Sequence, residues 1–157
     1  MDRNNEPIYR YRTFIIMCLV SGISMYITMY FNTYEMNHIY FSWTRMYMTF
    51  IGVAGMAIVM LLFMKRMYTD KVKNAMIIVG SLLVMAVSTF LVRRQIPIGD
   101  LKWMKAMIPH HSIAILTSSR ADIRDPEVRQ LADEIIEAQR KEIEEMKAMI
   151  KRLERKK

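Results

Sequence analysis

Three long apolar runs dominate the first two thirds of the chain. Residues 14–30, 46–64 and 75–92 each lack Asp, Glu, Lys and Arg, over 17 to 19 consecutive positions. An α-helix rises about 1.5 Å per residue, so runs of this length approach the roughly 20 residues that cross a hydrocarbon core. We therefore predict a membrane domain, residues 1–95, with three transmembrane helices.

The pattern changes to a helical period of three and four after residue 99. Asp100 suits a helix N-cap, and apolar residues then recur along one side as far as Leu116. Asp125, Pro126 and Glu127 mark the start of a second helix, because Asp favours the cap and Pro the first helical position. The sequence predicts an all-α fold in which residues 100–157 form an antiparallel helical hairpin.

The second hairpin helix carries a heptad-like stripe that a hairpin alone cannot bury. Its positions are Val128, Leu131, Ile135, Ala138, Glu142, Met146, Met149 and Leu153. Two copies packed as a four-helix bundle would cover it, so we expect a homodimer. Counting outward from the turn places His111 near Ile135, Met107 near Gln139, and Met104 near Ile143 and Met146.

The distribution of basic residues predicts the orientation. Arg3, Arg10 and Arg12 precede the first run, and residues 65–73 between the second and third runs hold four more basic residues. The positive-inside rule then places the amino terminus in the cytoplasm and residues 100–157 outside, in a cytoplasmic (inner) membrane, although Arg93 and Arg94 oppose it. A cleaved signal peptide is the competing interpretation of the first run, but no small-x-small cleavage site follows it.

Composition narrows the classes of function. The chain has 157 residues and a net charge of +8, yet the basic and acidic residues after residue 92 are well mixed, which argues against nucleic acid as a partner. Its single cysteine, Cys18, allows no intramolecular disulfide. Neither His110 nor His111 follows a Glu by three residues, as ferritin-like di-iron sites require, so we expect no enzyme.

The candidate chemistry lies in the segment Met-Lys-Ala-Met-Ile-Pro-His-His at 104–111. Thioether and imidazole together favour soft or borderline ions such as Cu(I) and its mimic Ag(I). Met107, His110 and His111 are one helical turn apart, and Pro109 should kink the helix there. In the competing interpretation, the methionines fill the hairpin core and the histidines cap its polar edge.

A second candidate lies in the aromatic loop between the first two runs. Met36, His38 and Met46 are a possible secondary metal site, because the predicted topology places every histidine of the chain on the outer side. A lone His in such a loop is more often a polar surface residue. The loop aromatics suit a segment lying against headgroups.

Four segments resemble the domain of unknown function 305 family. They are 104–111, Asp125-Pro-Glu-Val, Leu131-Ala-Asp-Glu-Ile-Ile-Glu-Ala-Gln and Glu142-Ile-Glu-Glu-Met. The resemblance implies a ferritin-like hairpin of bacterial envelope proteins, often encoded among copper and silver resistance functions. It carries a metal-handling role onto Met104, Met107, His110, His111 and Met146.

The sequence thus predicts a membrane-anchored extracytoplasmic protein that binds Cu(I) for copper handling or resistance. The expected partners are membrane lipid, a second copy of the chain and a copper transporter or chaperone. The alternative is an oligomerisation or partner-docking module on a membrane anchor, without metal.

Overall fold

The computed structural model describes residues 6–155, and the side chains of residues 9–155. It contains five α-helices and no strand within that range. The helices are α1 (Glu6–Thr28), α2 (Trp43–Phe63), α3 (Lys71–Arg94), α4 (Asp100–Arg120) and α5 (Pro126–Glu154), and a 3-10 turn covers Met36–His38. The predicted all-α fold is confirmed, while Arg3 lies outside the described residues.

The described chain divides into two compact units. The apolar unit comprises residues 6–28 and Thr44–Ile96, and the hairpin unit comprises Met29–Trp43 and residues 97–155. The sequence placed the loop at 29–43 in the membrane domain with the helices beside it. The structure groups this loop with the hairpin instead.

The apolar unit contains three helices that are long and apolar enough to cross a membrane. Between 6% and 28% of the residues in their most apolar windows are buried, so most of their apolar surface faces outward. Each helix begins before the apolar run that predicted it; α3, for example, begins at Lys71. Asp70 explains this start, because its carboxylate accepts hydrogen bonds from the amides of Val72 and Lys73 at 3.0 and 3.1 Å.

Aromatic packing closes one end of the apolar unit. Tyr68 is 1% exposed, and the centroid of its ring lies 5.2 Å from that of Tyr11 and 5.3 Å from that of Phe14. The Tyr11 hydroxyl donates to Asn74 Oδ1 at 2.7 Å. The start of α1 is therefore tied to the start of α3, at the same end of the unit.

The hairpin unit is built around the antiparallel pair of α4 and α5. Its core consists of Met104, Ile108, Ile115, Ile143, Met146 and Ile150. The N-cap predicted for α5 is confirmed, because Asp125 accepts from the amides of Glu127 and Val128 at 2.9 and 3.0 Å. For α4 the predicted cap was wrong by one residue, since Gly99 is the N-cap and Asp100 the first helical residue.

The loop at 29–43 completes the hairpin core. Tyr34 and Tyr40 pack against the buried residues of α4 and α5. The Tyr34 amide donates to Ser112 Oγ at 2.7 Å, and Tyr30 donates to the Tyr40 carbonyl at 2.7 Å. These aromatic residues therefore cover part of the apolar surface for which a second copy of the hairpin was predicted.

Candidate functional site

The ring of His111 has a defined orientation on α4. Its Nδ1 lies 2.9 Å from the carbonyl oxygen of Met107, one turn earlier in the same helix. A carbonyl can only accept, so Nδ1 carries a hydrogen and donates it. The other ring nitrogen, Nε2, therefore points across to α5.

Glu142 meets His111 from the second helix. The distance from His111 Nε2 to Glu142 Oε2 is 2.8 Å, with the His111 side chain 13% exposed and that of Glu142 50% exposed. Both partners of the ring are acceptors, so the imidazolium form makes both bonds and the neutral ring makes one. A proton on Nε2 therefore adds the contact between the two helices.

Three methionines of the candidate segment and of α5 lie in or against the hairpin core. Met104 is 4% and Met146 7% exposed, and Met107 is partly buried against the same cluster. Met107 precedes His111 by four residues, and Met146 follows Glu142 by four. One face of each helix thus carries a thioether one turn from the pair His111 and Glu142.

His110 lies apart from this arrangement. Its side chain is exposed, and its ring centroid is 6.2 Å from that of His111 in an edge-on contact. Pro109 is buried, and α4 runs through it without interruption from Asp100 to Arg120. The sequence had grouped His110 and His111 equally, and the structure orients only His111 toward α5.

The predicted neighbour of His111 differs from its observed contact, whereas Met104, Ile143 and Met146, which the same count placed together, share the hairpin core. Counting from the turn placed His111 beside Ile135, whereas its ring contacts Glu142, seven residues farther along α5. In antiparallel helices each side chain leans toward the N-terminus of its own helix, so His111 leans away from the turn and Glu142 toward it. The sequence did not identify Glu142 as a partner of His111. The signal that was available is spacing, since Glu142 precedes Met146 by four residues, as Met107 precedes His111.

The loop histidine forms a separate polar cluster against α4. His38 is 4% exposed, and its Nδ1 lies 2.9 Å from Ser112 Oγ, which is fully buried. Ser112 accepts from the Tyr34 amide, so its hydroxyl hydrogen is available to Nδ1. His38 Nε2 lies 3.8 Å from Glu35 Oε2. The interpretation of His38 as a surface residue was therefore wrong.

The other two residues of the possible secondary metal site are not buried with His38. Met36 is 82% exposed, and Met46 belongs to α2 in the apolar unit. The Nδ1 atom of His38 is already hydrogen-bonded to Ser112. The arrangement around His38 accordingly fits a structural polar contact.

Within residues 9–155, the side chains of His, Cys, Asp and Glu do not form a metal site by themselves. Among the described residues, no group of three or more of them is placed to hold an ion. His111 and Glu142 provide two such donors. A metal site at this position therefore depends on thioether sulfur from Met107 or Met146.

Comparisons with known proteins place the matched region on the hairpin. The family described as Domain of unknown function (DUF305) matches residues 95–157. The chain is also 35% identical over 106 residues to Uncharacterized protein L153 of Acanthamoeba polyphaga mimivirus, an alignment covering 66% of this chain and 68% of that protein. That alignment is longer than the family match, so it includes residues before the hairpin. No solved structure matches the chain.

Proposed function

We propose that the hairpin of this chain, which belongs to the DUF305 family, is a metal-binding module for Cu(I), with Ag(I) as a mimic. The proposed ligands are His111, Met107 and Met146. Met104 is buried in the same core but lies two turns before His111, and His110 is exposed, so we assign these two a secondary place in the set. The protein binds and hands on an ion and carries out no reaction in this proposal.

The observation that carries the proposal is the orientation of His111. Histidines that bind metal usually donate their other ring hydrogen to a carbonyl or carboxylate, which fixes the tautomer. The contact between His111 Nδ1 and the Met107 carbonyl is of this kind and supports Nε2 as the coordinating nitrogen in the proposed site. The ring is fixed before any ion arrives.

The donor types favour a soft ion. Thioether and imidazole select Cu(I) over hard cations such as Mg²⁺ and Ca²⁺, which prefer oxygen. The resemblance to copper-associated envelope proteins points to the same ion. Glu142, 2.8 Å from Nε2, would balance the charge of a monovalent cation once the ring is neutral.

Copper titration tests the proposal. The purified full-length protein in detergent is titrated with Cu(I) under reducing conditions, in competition with a Cu(I) chelator. Met107→Leu removes the sulfur with little change in volume, so the protein should keep its helicity and bind Cu(I) more weakly. His111→Ala should weaken binding strongly at pH 7. Acidification should have a similar effect, because only a neutral imidazole coordinates.

Met149→Leu is the matched control, because Met149 lies on α5 with 43% of its surface exposed and outside the core cluster. It should leave the affinity for Cu(I) unchanged. A Cu(I) affinity that survives Met107→Leu and His111→Ala combined would exclude this site.

We place the hairpin outside the cytoplasm, anchored by α1, α2 and α3 in the inner membrane. The length and apolar composition of the three helices support insertion. The basic residues at the end where α1 and α3 begin support a cytoplasmic position for that end. A copper transporter or chaperone remains the proposed exchange partner of the hairpin.

Oligomerisation or partner docking without metal is the second candidate function. It is favoured by apolar side chains that the hairpin unit leaves exposed: Trp103 at 50%, Val128 at 50%, Leu131 at 56% and Met149 at 43%. A homodimer covering the α5 residues of this set would form a four-helix bundle. Such a dimer is compatible with the metal site, since Met107 and Met146 lie on the opposite, inward side.

A further inference from the structure

A notch at the beginning of α1 and α3 combines two cationic side chains with apolar walls. Its volume is about 500 Å³, and it is lined by Tyr11, Arg12, Ile15, Ile16 and Lys73. The first four residues lie on α1 and the last on α3. All five belong to the apolar unit, far in sequence from the candidate metal residues.

Hydrogen bonds hold the two helices together beside this notch. Tyr11 is 9% exposed and donates to Asn74 Oδ1 of α3 at 2.7 Å, while the Asp70 amide donates to the Tyr11 hydroxyl at 3.2 Å. Lys73 Nζ lies 5.2 Å from the centroid of the Tyr11 ring. The Tyr11 wall of the notch is therefore held in place, while Arg12 and Lys73 remain exposed at its rim.

The two chemical parts of the notch follow each other along α1. Arg12 is exposed, and Ile15 and Ile16, three and four residues later, are 57% and 48% exposed. Positions with this spacing share one face of a helix. The cationic side chain of Arg12 is thus followed, one helical turn later, by an exposed apolar strip at Ile15 and Ile16.

The local charge is positive despite one neighbouring acid. Asp70 Oδ2 lies 3.2 Å from Lys73 Nζ, but the other oxygen of this carboxylate caps the first amides of α3. Arg10, which donates to the Met67 carbonyl at 3.3 Å, adds a further cation at the same end. An anionic ligand is therefore attracted to this end.

We propose that the notch is a binding site for an anionic phospholipid, with its phosphate between Arg12 and Lys73 and an acyl chain along Ile15 and Ile16. Basic pockets between membrane helices on the cytoplasmic side bind such headgroups. Free phosphate fits less well, because it would leave the two isoleucines without an apolar partner. This inference rests on the proposed insertion of α1 and α3 into a membrane.

The test uses the full-length protein in nanodiscs of phosphatidylcholine alone or with phosphatidylglycerol, and measures lipid retained on extraction by native mass spectrometry. Phosphatidylglycerol should be retained in preference to phosphatidylcholine. The variant Arg12→Gln/Lys73→Gln should weaken this preference roughly tenfold, and Arg12→Lys/Lys73→Arg should restore it.

Arg93→Gln/Arg94→Gln is the matched control, because it removes the same charge from the opposite end of α3 and should leave retention unchanged. The proposal would be overturned if both lipids were retained equally, or if the two Gln double variants lost the preference for phosphatidylglycerol to the same extent. Displacement of the lipid by millimolar inorganic phosphate would also overturn it.

Flotation with pure phosphatidylcholine vesicles separates this site from membrane insertion. The protein should float in these vesicles whether or not the notch is intact. A protein that does not float would overturn membrane insertion and the lipid site together. A protein that floats but retains both lipids equally would overturn the lipid site alone.

Discussion

At the scale of single residues, the contact between His38 and Ser112 fixes the loop at 29–43 to the hairpin. Ser112 is 0% exposed and interacts with both the Tyr34 amide and the imidazole of His38. Removing one partner of such a buried contact leaves a polar group unpaired, which costs about 1–3 kcal/mol. Neutral His38 accepts the Ser112 hydrogen, so its protonation state matters to the contact.

Burial lowers the pKa of His38 below the ordinary value of 6.5, and the positive charge of Lys147 lowers it further, while Glu35 and Glu144 act in the opposite direction. The unfolded state therefore takes up a proton at a higher pH than the folded state. The stability contributed by neutral His38 is fully present above about pH 6.5 and is lost as the pH falls below it.

We expect the hairpin unit to unfold at a lower temperature at pH 5.5 than at pH 7.5, as measured by circular dichroism of the purified protein. His38→Gln keeps hydrogen-bonding groups but does not titrate, so it should reduce the difference between the two pH values. His110→Gln, at an exposed position, should leave the difference as it is. An unchanged pH dependence in His38→Gln would contradict this assignment.

Sequence reasoning at this scale succeeded with local contacts and failed with distant ones. The predicted cap of α5 by Asp125 is such a local contact, since its partner amides lie two and three residues later. The contact of His38 with Ser112 joins residues 74 positions apart, and no periodic pattern reports it. Glu142 was placed on the packing stripe without a partner, because the lean of the side chains was not included in the count.

At the scale of elements, α5 presents two apolar faces of different kinds. Ile143 and Ile150 are 1% and 5% exposed against α4, whereas Leu131 and Val128 are 56% and 50% exposed. The heptad stripe predicted from the sequence mixed residues of both faces. Periodicity identified a helix with excess apolar surface, but it did not assign each residue to its neighbour, which requires the three-dimensional register.

Two substitutions separate these faces. Ile143→Asp places a carboxylate in the hairpin core and should destabilise it by roughly 3 kcal/mol or more, with loss of helicity in circular dichroism. Leu131→Asp, on the exposed face, should retain helicity and shift a dimer to monomer in light scattering in detergent.

Retained helicity and melting temperature in Ile143→Asp would show that the packing face is misassigned. If Leu131→Asp leaves the mass in solution unchanged, residue 131 is not part of a dimer interface.

At the scale of the whole molecule, contacts within the apolar unit identify which chain segments share an end. Tyr11 and Asn74 join the beginnings of α1 and α3, and the Tyr47 hydroxyl donates to the Ile96 carbonyl at 3.0 Å, joining the beginning of α2 to the end of the unit's chain. This is the up-and-down order that the three apolar runs predicted. The proposed orientation, with the beginnings of α1 and α3 in the cytoplasm, rests on the charge pattern.

An alkaline phosphatase fusion after Lys157 should be active, and one placed in the connection between α2 and α3 should be inactive, because this enzyme folds only outside the cytoplasm. A fluorescent protein that requires the cytoplasm should give the reverse pattern. Activity of the phosphatase in the α2–α3 connection would show that the orientation is opposite to the proposed one, with His111 and Glu142 in the cytoplasm.

The pairing of Tyr34 with Ser112, 78 residues apart, has a consequence for the order of synthesis. The ribosome completes residues 29–43 before it begins α4. This segment therefore cannot make its contacts with α4 until α2 and α3 have been synthesised. A fragment that begins at residue 95, where the family match begins, contains α4 and α5 but lacks Tyr34, His38 and Tyr40. Made alone, such a fragment leaves bare the part of its core that these residues cover. In the order of synthesis, α2 and α3 are an insertion within the hairpin unit.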